Sequence, residues 1–279
     1  MNTLTRVFPL AVSLALAAAC AGSGGRTEGG PLTGPAGRLY VDDGGKGGLP
    51  VVFVHSFAGS SRHWSPQVAY LRPTRRAVAL DLRGHGQSAA PASADYAVSS
   101  LARDIEAVVD GLGLDRFVLV GHSMGGAAVT AYADAHPDRV AGLVLVGTPG
   151  KSSPEMSSKV LAAMRADYEK VSEGYWKRLL TGARPSVEKQ IRSEMKRLPR
   201  EAGLAIIEAI FAYDPVPTLR AYGGPKLLVD TPHGGGPGAL HSQAPDVPRE
   251  VVTGTSHWPH LDKPREFHRI LDEFLAEVD

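Results

Sequence analysis

The segment Phe117-Val118-Leu119-Val120-Gly121-His122-Ser123-Met124-Gly125-Gly126 joins two kinds of local sequence. Its first four residues are apolar and partly β-branched, the composition of a buried strand. After Gly126 the chain runs Ala127-Ala128-Val129-Thr130-Ala131-Tyr132, a good helix opening. Ser123 therefore falls on a tight strand-to-helix turn, with a glycine two positions before it and another two after it. Those small residues let the backbone fold closely around the serine and push its hydroxyl outward, where it can attack an electrophile.

Working outward, apolar strands are expected at Pro50–Val54, Ala77–Leu80 and Val140–Val146. Each is an unbroken apolar run, as in central strands covered on both faces. Apolar residues at 101, 105, 108, 109 and 112 have helical spacing. Strand and helix alternate, which predicts a largely parallel sheet with right-handed crossovers. From residue 151 to 222 the strand signal vanishes and helical patterns take over at 155–182, 186–198 and 200–212. Strands return at Lys226–Val229 and Arg249–Val252, and an amphipathic helix closes the chain from Pro264 to Val278. Arg38–Val41 reads as an early strand ended by a turn at Asp42-Asp43-Gly44-Gly45.

The N-terminus differs in kind. Arg6 precedes an apolar run from Val7 to Ala19, too short to span a bilayer and ending in small residues. Cys20 follows at once and is the chain's only cysteine, so no intramolecular disulfide can form. Residues 1–20 thus resemble a bacterial lipoprotein signal with Cys20 as the lipidated residue, and predict an exported chain anchored to the cell envelope, or a secreted one if the segment is an ordinary secretory signal. Residues 21–37, rich in Gly, Ser, Thr and Pro, read as a flexible tether.

The chain has 279 residues, 43% hydrophobic and 21% charged, with a formal net charge of +1. That suits a large α/β domain with an insertion. The near-neutral charge and the lack of a basic run give no basis for nucleic-acid binding. No metal-ligand spacing or phosphate-binding glycine loop is present, so no cofactor is expected.

Four motifs carry a resemblance. They are His55-Ser56-Phe57, Asp81-Leu82-Arg83-Gly84-His85-Gly86-Gln87-Ser88, Gly121 to Gly126, and Gly254-Thr255-Ser256-His257-Trp258 with Asp262-Lys263-Pro264. In this order they make residues 38–279 resemble a capped α/β-hydrolase, with 38–150 and 223–279 as the core and 151–222 as a helical cap. The resemblance implies a serine hydrolase acting on a small-molecule carboxylic ester. Ser123 is then the nucleophile and His257 the general base. The backbone N–H groups of Phe57 and Met124 form the oxyanion hole. Ser56 stands where glycine is usual. The usual site of the triad acid falls near Gly234; Asp230 is the nearest carboxylate and the candidate third member, with Asp246 as a later alternative and a Ser123–His257 dyad without an acid as the remaining one. Serine in place of aspartate separates the chain from dehalogenase and epoxide hydrolase chemistry. Carbon–carbon bond hydrolases and cofactor-free haloperoxidases share the pattern, and a non-catalytic envelope binding protein is the reading from another class.

His55 and His85 are expected to brace turns, His122 to pack beside Ser123, and His260 to be a loop residue. Asp81 and Arg83 are expected to hold loops, and Asp214 to mark the junction after the insert. Trp176, Phe211 and Tyr213 are candidates for the pocket roof or the core of the insert.

Overall fold

The computed structural model describes residues 31–231, 234–236 and 238–279. The signal-like segment, Cys20 and the first part of the tether lie outside them. Eight strands form one sheet in the order β1-β2-β4-β3-β5-β6-β7-β8. They are β1 (Pro31–Gly34), β2 (Gly37–Gly44), β3 (Val51–Val54), β4 (Ala77–Leu80), β5 (Phe117–His122), β6 (Val140–Val146), β7 (Lys226–Asp230) and β8 (Arg249–Val251). From β4 to β8 all neighbours are parallel; β1 and β2 are antiparallel additions at one edge.

Period-two alternation splits each central strand between two apolar layers. Val52, Val54, Val78, Leu80, Leu119, Leu143 and Leu145 face the helices Val98–Gly111 and Met124–Ala135. Val51, Phe53, Ala77, Ala79, Val118, Val120 and Val144 face Ser65–Leu71 and the closing helix Pro264–Val278, through Val68, Leu71, Phe267, Ile270 and Phe274. Full burial of each such aliphatic or aromatic side chain contributes about 1.5–3 kcal/mol. Covered on both faces, the parallel strands have no use for polar residues, which is why they read as continuous apolar runs.

Strand order reverses between β3 and β5, since the chain leaves β3 for β4 on one side and later leaves β5 for β6 on the other. In open α/β sheets such a switch point leaves a crevice beyond the strand C-termini. Here β3 delivers His55-Ser56-Phe57 to that crevice and β5 delivers Ser123.

Three expectations need correction. Residues 31–37 are not tether: β1 pairs with β2 from Pro31↔Tyr40 to Gly34↔Gly37, and Leu32 packs on the core. The composition is loop-like, but an edge strand tolerates proline and glycine. Asp42 and Asp43 do not form a turn; β2 runs through them to Gly44, and they pair with Arg72 and Arg76 at 2.7 and 2.8 Å. The helical pattern at 155–182 is two helices, because Asp167 ends Pro154–Ala166 and caps Tyr168–Leu179, accepting from the Lys170 N–H. Between β6 and β7 the chain makes five helices, these two followed by Pro185–Met195, Arg200–Ala212 and Val216–Ala221. Asp214 opens the last of them by accepting from the Val216 N–H at 3.0 Å.

Candidate active site

Ser123 has φ +53° and ψ −114°, a conformation rare for any residue with a Cβ. The surroundings leave it no alternative. Its N–H donates to the Val146 carbonyl at 2.8 Å, locking it to the end of β6, and its carbonyl accepts from Gly126 and opens the helix Met124–Ala135. A Cβ on Gly125 would collide with the carbonyls of Val54 and His55, and one on Gly121 with Gly125 and Val129. The two glycines of the motif therefore buy the close approach of helix to sheet, and the serine absorbs the resulting bend.

Met124 is the first residue of that helix, so its N–H has no intrahelical acceptor by position and lies where the helix dipole favours negative charge. Across the crevice, the loop after β3 is tightly folded. Gly59 donates to the Ser56 carbonyl at 3.0 Å, and the left-handed residue is Ala58 at φ +53°. Ser56 itself does not have a positive φ, so serine fits without strain at the position where the resemblance expects glycine. Asp81 holds the loop from the core side, with one oxygen accepting from Ser61 N at 2.6 Å and the other from Gln87 N at 2.8 Å.

His257 arrives on a clamped loop. Asp262 accepts from both the N–H and the hydroxyl of Ser256, and Thr255 donates to Val252. The His257 N–H donates to the Leu179 carbonyl of the helical insert at 2.9 Å, and its own carbonyl accepts from His122 Nε2 at 2.8 Å. The imidazole rests on Gly147: a Cβ there would lie 2.9 Å from Cε1. Gly147 directly follows Val146, the residue bonded to the Ser123 N–H. Both Ser123, through its N–H, and His257, through its ring, are thus placed against the end of β6, and each is about 8% exposed.

Asp230 has other partners than the one expected of it. Its Oδ2 is 2.8 Å from His241 Nδ1 and 2.7 Å from Arg249 Nε. A buried carboxylate at a strand end draws a cation where the next element supplies one, and β8 begins with Arg249.

Other expectations can be placed. His55 accepts from Leu82 N on Nε2, which leaves Nδ1–H to donate to the Ser56 carbonyl at 2.8 Å; His85 Nδ1 contacts the Arg83 carbonyl. Both brace turns. Arg83 forks onto Asp104 at 2.9 and 2.7 Å, a fully buried pair. His260 is not a loop residue but is buried in the short helix Pro259–Asp262, its ring 4.2 Å from that of Trp64. Trp176 stacks between Phe57 and Trp258, with centroids 5.7 and 6.1 Å away, and so joins the insert to the loop after β3 and to the His257 loop. Tyr213 instead lines a separate cavity of about 550 Å³, with Tyr132, Arg103 and His136. Sequence reasoning missed Glu194 and His63, which meet at 3.1 Å, and left Asp262 without a role.

A family model described as the alpha/beta hydrolase fold matches residues 50–204. The chain belongs to the α/β-hydrolase fold family. Among its relatives, the sn-1-specific diacylglycerol lipase of Mus musculus is 30% identical, over 81% of this chain and 80% of that one. Epoxide hydrolase 3 of Xenopus tropicalis is 27% identical, over 85% of this chain and 74% of its own. A thermophilic esterase from Thermogutta terrifontis superposes with a TM-score of 0.76 at 26% identity, covering 90% of this α/β-hydrolase and 99% of that structure.

The backbone at Ser123 gives a test of strain. Ser123→Gly should be about 1 kcal/mol more stable to urea than Ser123→Ala, because glycine takes a positive φ without the Cβ clash. Equal stabilities would contradict the strain.

Burial holds four imidazoles neutral. It brings His55 down to about 4 and His85 to about 3, and takes His122 and His260 well below the usual histidine value. Between pH 6.5 and those folded-state values the unfolded chain binds protons that the folded chain does not. Stability is therefore fully present above pH 6.5 and is lost as pH falls, by up to about 1.4 kcal/mol per unit for each histidine. Burial pushes the Asp81 carboxyl up, which acts in the opposite sense, but one carboxyl does not offset four imidazoles. Urea midpoints measured from pH 7.5 to 5 should fall steeply; a flat profile would show that these rings are not buried neutral.

Proposed function

We propose that this α/β-hydrolase cleaves a carboxylic ester through an acyl-enzyme on Ser123, with His257 as the general base. The observation that carries the reading is the left-handed backbone of Ser123 at a helix start, beside an imidazole resting on Gly147. A serine held at such a cost, of order 1–3 kcal/mol, is retained where the conformation serves function.

In the proposed mechanism the Ser123 hydroxyl attacks the ester carbonyl while His257 takes its proton. The N–H groups of Phe57 and Met124 stabilise the oxyanion of the tetrahedral intermediate. Collapse expels the alcohol, which receives the proton from His257. A water, deprotonated by His257, then attacks the acyl-serine; collapse releases the acid, and the departing Ser123 oxygen takes the proton back from His257. A hydroxyl at this position cannot act as the attacking carboxylate of epoxide opening, which favours ester cleavage over the activity named for the amphibian relative. The helical insert is read as a cap, with Trp176 over the acyl group.

The proposal extends to location. Residues 6–20 support export and a lipid anchor at Cys20 on sequence alone. The mass of the mature N-terminus checks this: a diacylated Cys20 is expected, and an unmodified residue 1 contradicts it.

Purified chain should hydrolyse p-nitrophenyl acetate and butyrate, and Ser123→Ala and His257→Ala should each lose at least about 10³-fold in kcat. A fluorophosphonate should label wild type on Ser123 and fail to label Ser123→Ala. Equal background rates in all three proteins would remove the hydrolase reading in favour of a binding role.

A further inference from the structure

Glu194 is a carboxylate of the insert that reaches the loop of the proposed oxyanion hole. It lies on the helix Pro185–Met195, 134 residues along the chain from Ser60. Its Oε2 accepts from the Ser60 hydroxyl at 2.9 Å and stands 3.1 Å from His63 Nε2. Gln190 donates to its other oxygen at 3.3 Å. The His63 side chain is 1% exposed and that of Glu194 9%. Burial pushes the Glu194 carboxyl up, but His63, Ser60 and Gln190 pull it down further, to about 2, so it is ionised.

Burying a carboxylate is a poor way to add stability, because desolvation offsets most of the attraction to its partners. It is a good way to fix geometry, since a charged acceptor holds its donors in short directional bonds. What this one holds is specific. His63 N donates to the Ser60 carbonyl, Gly59 N donates to Ser56, and a Cβ on Gly59 would lie 2.6 Å from the His63 ring. Residues 57–63 therefore have little slack between Asp81 on the core side and Glu194 on the insert side. Phe57, whose N–H is the proposed oxyanion donor, is the first of them.

Resting on the serine-hydrolase reading, we propose that Glu194 is a positioning residue that ties the oxyanion loop to the insert, so that the donor is correctly aimed only while the insert is seated. The carboxylate touches neither substrate nor Ser123. It acts through Ser60 and His63. Losing the contact misplaces a group that works mainly in the transition state, so kcat should suffer rather than KM.

The test compares wild type, Glu194→Gln, Ser60→Ala and the double variant Glu194→Gln with His63→Gln, using p-nitrophenyl butyrate. Rates are expressed per active site titrated with a fluorophosphonate, which removes any unfolded fraction. Glu194→Gln should lower kcat about tenfold with KM unchanged, a fraction of the 10²–10³ lost with a whole oxyanion donor. The double variant should be no worse than the single one, because both changes break one contact. Should Glu194→Gln fail to fold, Ser60→Ala carries the test, with kcat about threefold lower and KM unchanged. A wild-type kcat per titrated site in Glu194→Gln, or in Ser60→Ala where that variant carries the test, overturns this inference alone. A wild type that neither labels nor hydrolyses overturns the hydrolase reading and this one with it.

Discussion

The bend at Ser123 is the constraint on which the rest depends. A left-handed residue with a Cβ costs about 1–2 kcal/mol, and it persists only where its neighbours over-determine it. Here β6 takes its N–H, the helix Met124–Ala135 takes its carbonyl, and the glycines at 121 and 125 bring that helix onto the backbone of β3 and β5. The sheet must be parallel at this point, so that β3, β5 and β6 all end at the same level. It must also be buried on both faces, so that the ends do not shift. The two apolar layers meet that requirement, and the reversal of strand order opens the crevice in which the hydroxyl emerges.

Around that fixed point, the insert is part of the site rather than a separate lobe. Leu179 accepts the His257 N–H, Trp176 stacks against Phe57 and Trp258, and Arg184 donates through its N–H to Asp262, the residue that clamps the His257 loop. Glu194 grips the loop after β3. The His257 loop and the loop after β3 thus each have one anchor in the sheet domain and one in the insert. An insert that moved as a body would disturb the His257 loop and the loop after β3 together.

Much of this was legible because parallel strands and tight turns leave strong local marks. The Phe117–Gly126 turn, the buried strands and the closing helix carry their reasons in a few adjacent residues, and the four motifs single out Ser123 and His257 as candidates by order alone. What depended on contacts between distant segments was not legible. Residues 31–34 look like tether because their partner strand, not their composition, makes them a strand. The single helical pattern at 155–182 hid a cap at Asp167, since an aspartate in a polar stretch reads the same on a helix surface as at its end. Asp230 stands near the place where the resemblance expects an acid, but Arg249, the first residue of the next strand, and His241 lie beside its carboxylate. Glu194 bore no mark at all. A glutamate on an amphipathic helix is ordinary until the fold sets it against Ser60 and His63.

The central claim is that Ser123 forms a covalent acyl intermediate. Rapid acid quenching of the chain within the first turnovers of p-nitrophenyl butyrate, followed by intact mass and peptide mapping, tests it directly. A protein heavier by one butyryl group is expected, with the label on the peptide containing Ser123, forming no more slowly than p-nitrophenol is released. Product release with no adduct at any quench time, or an adduct on another residue, would contradict it.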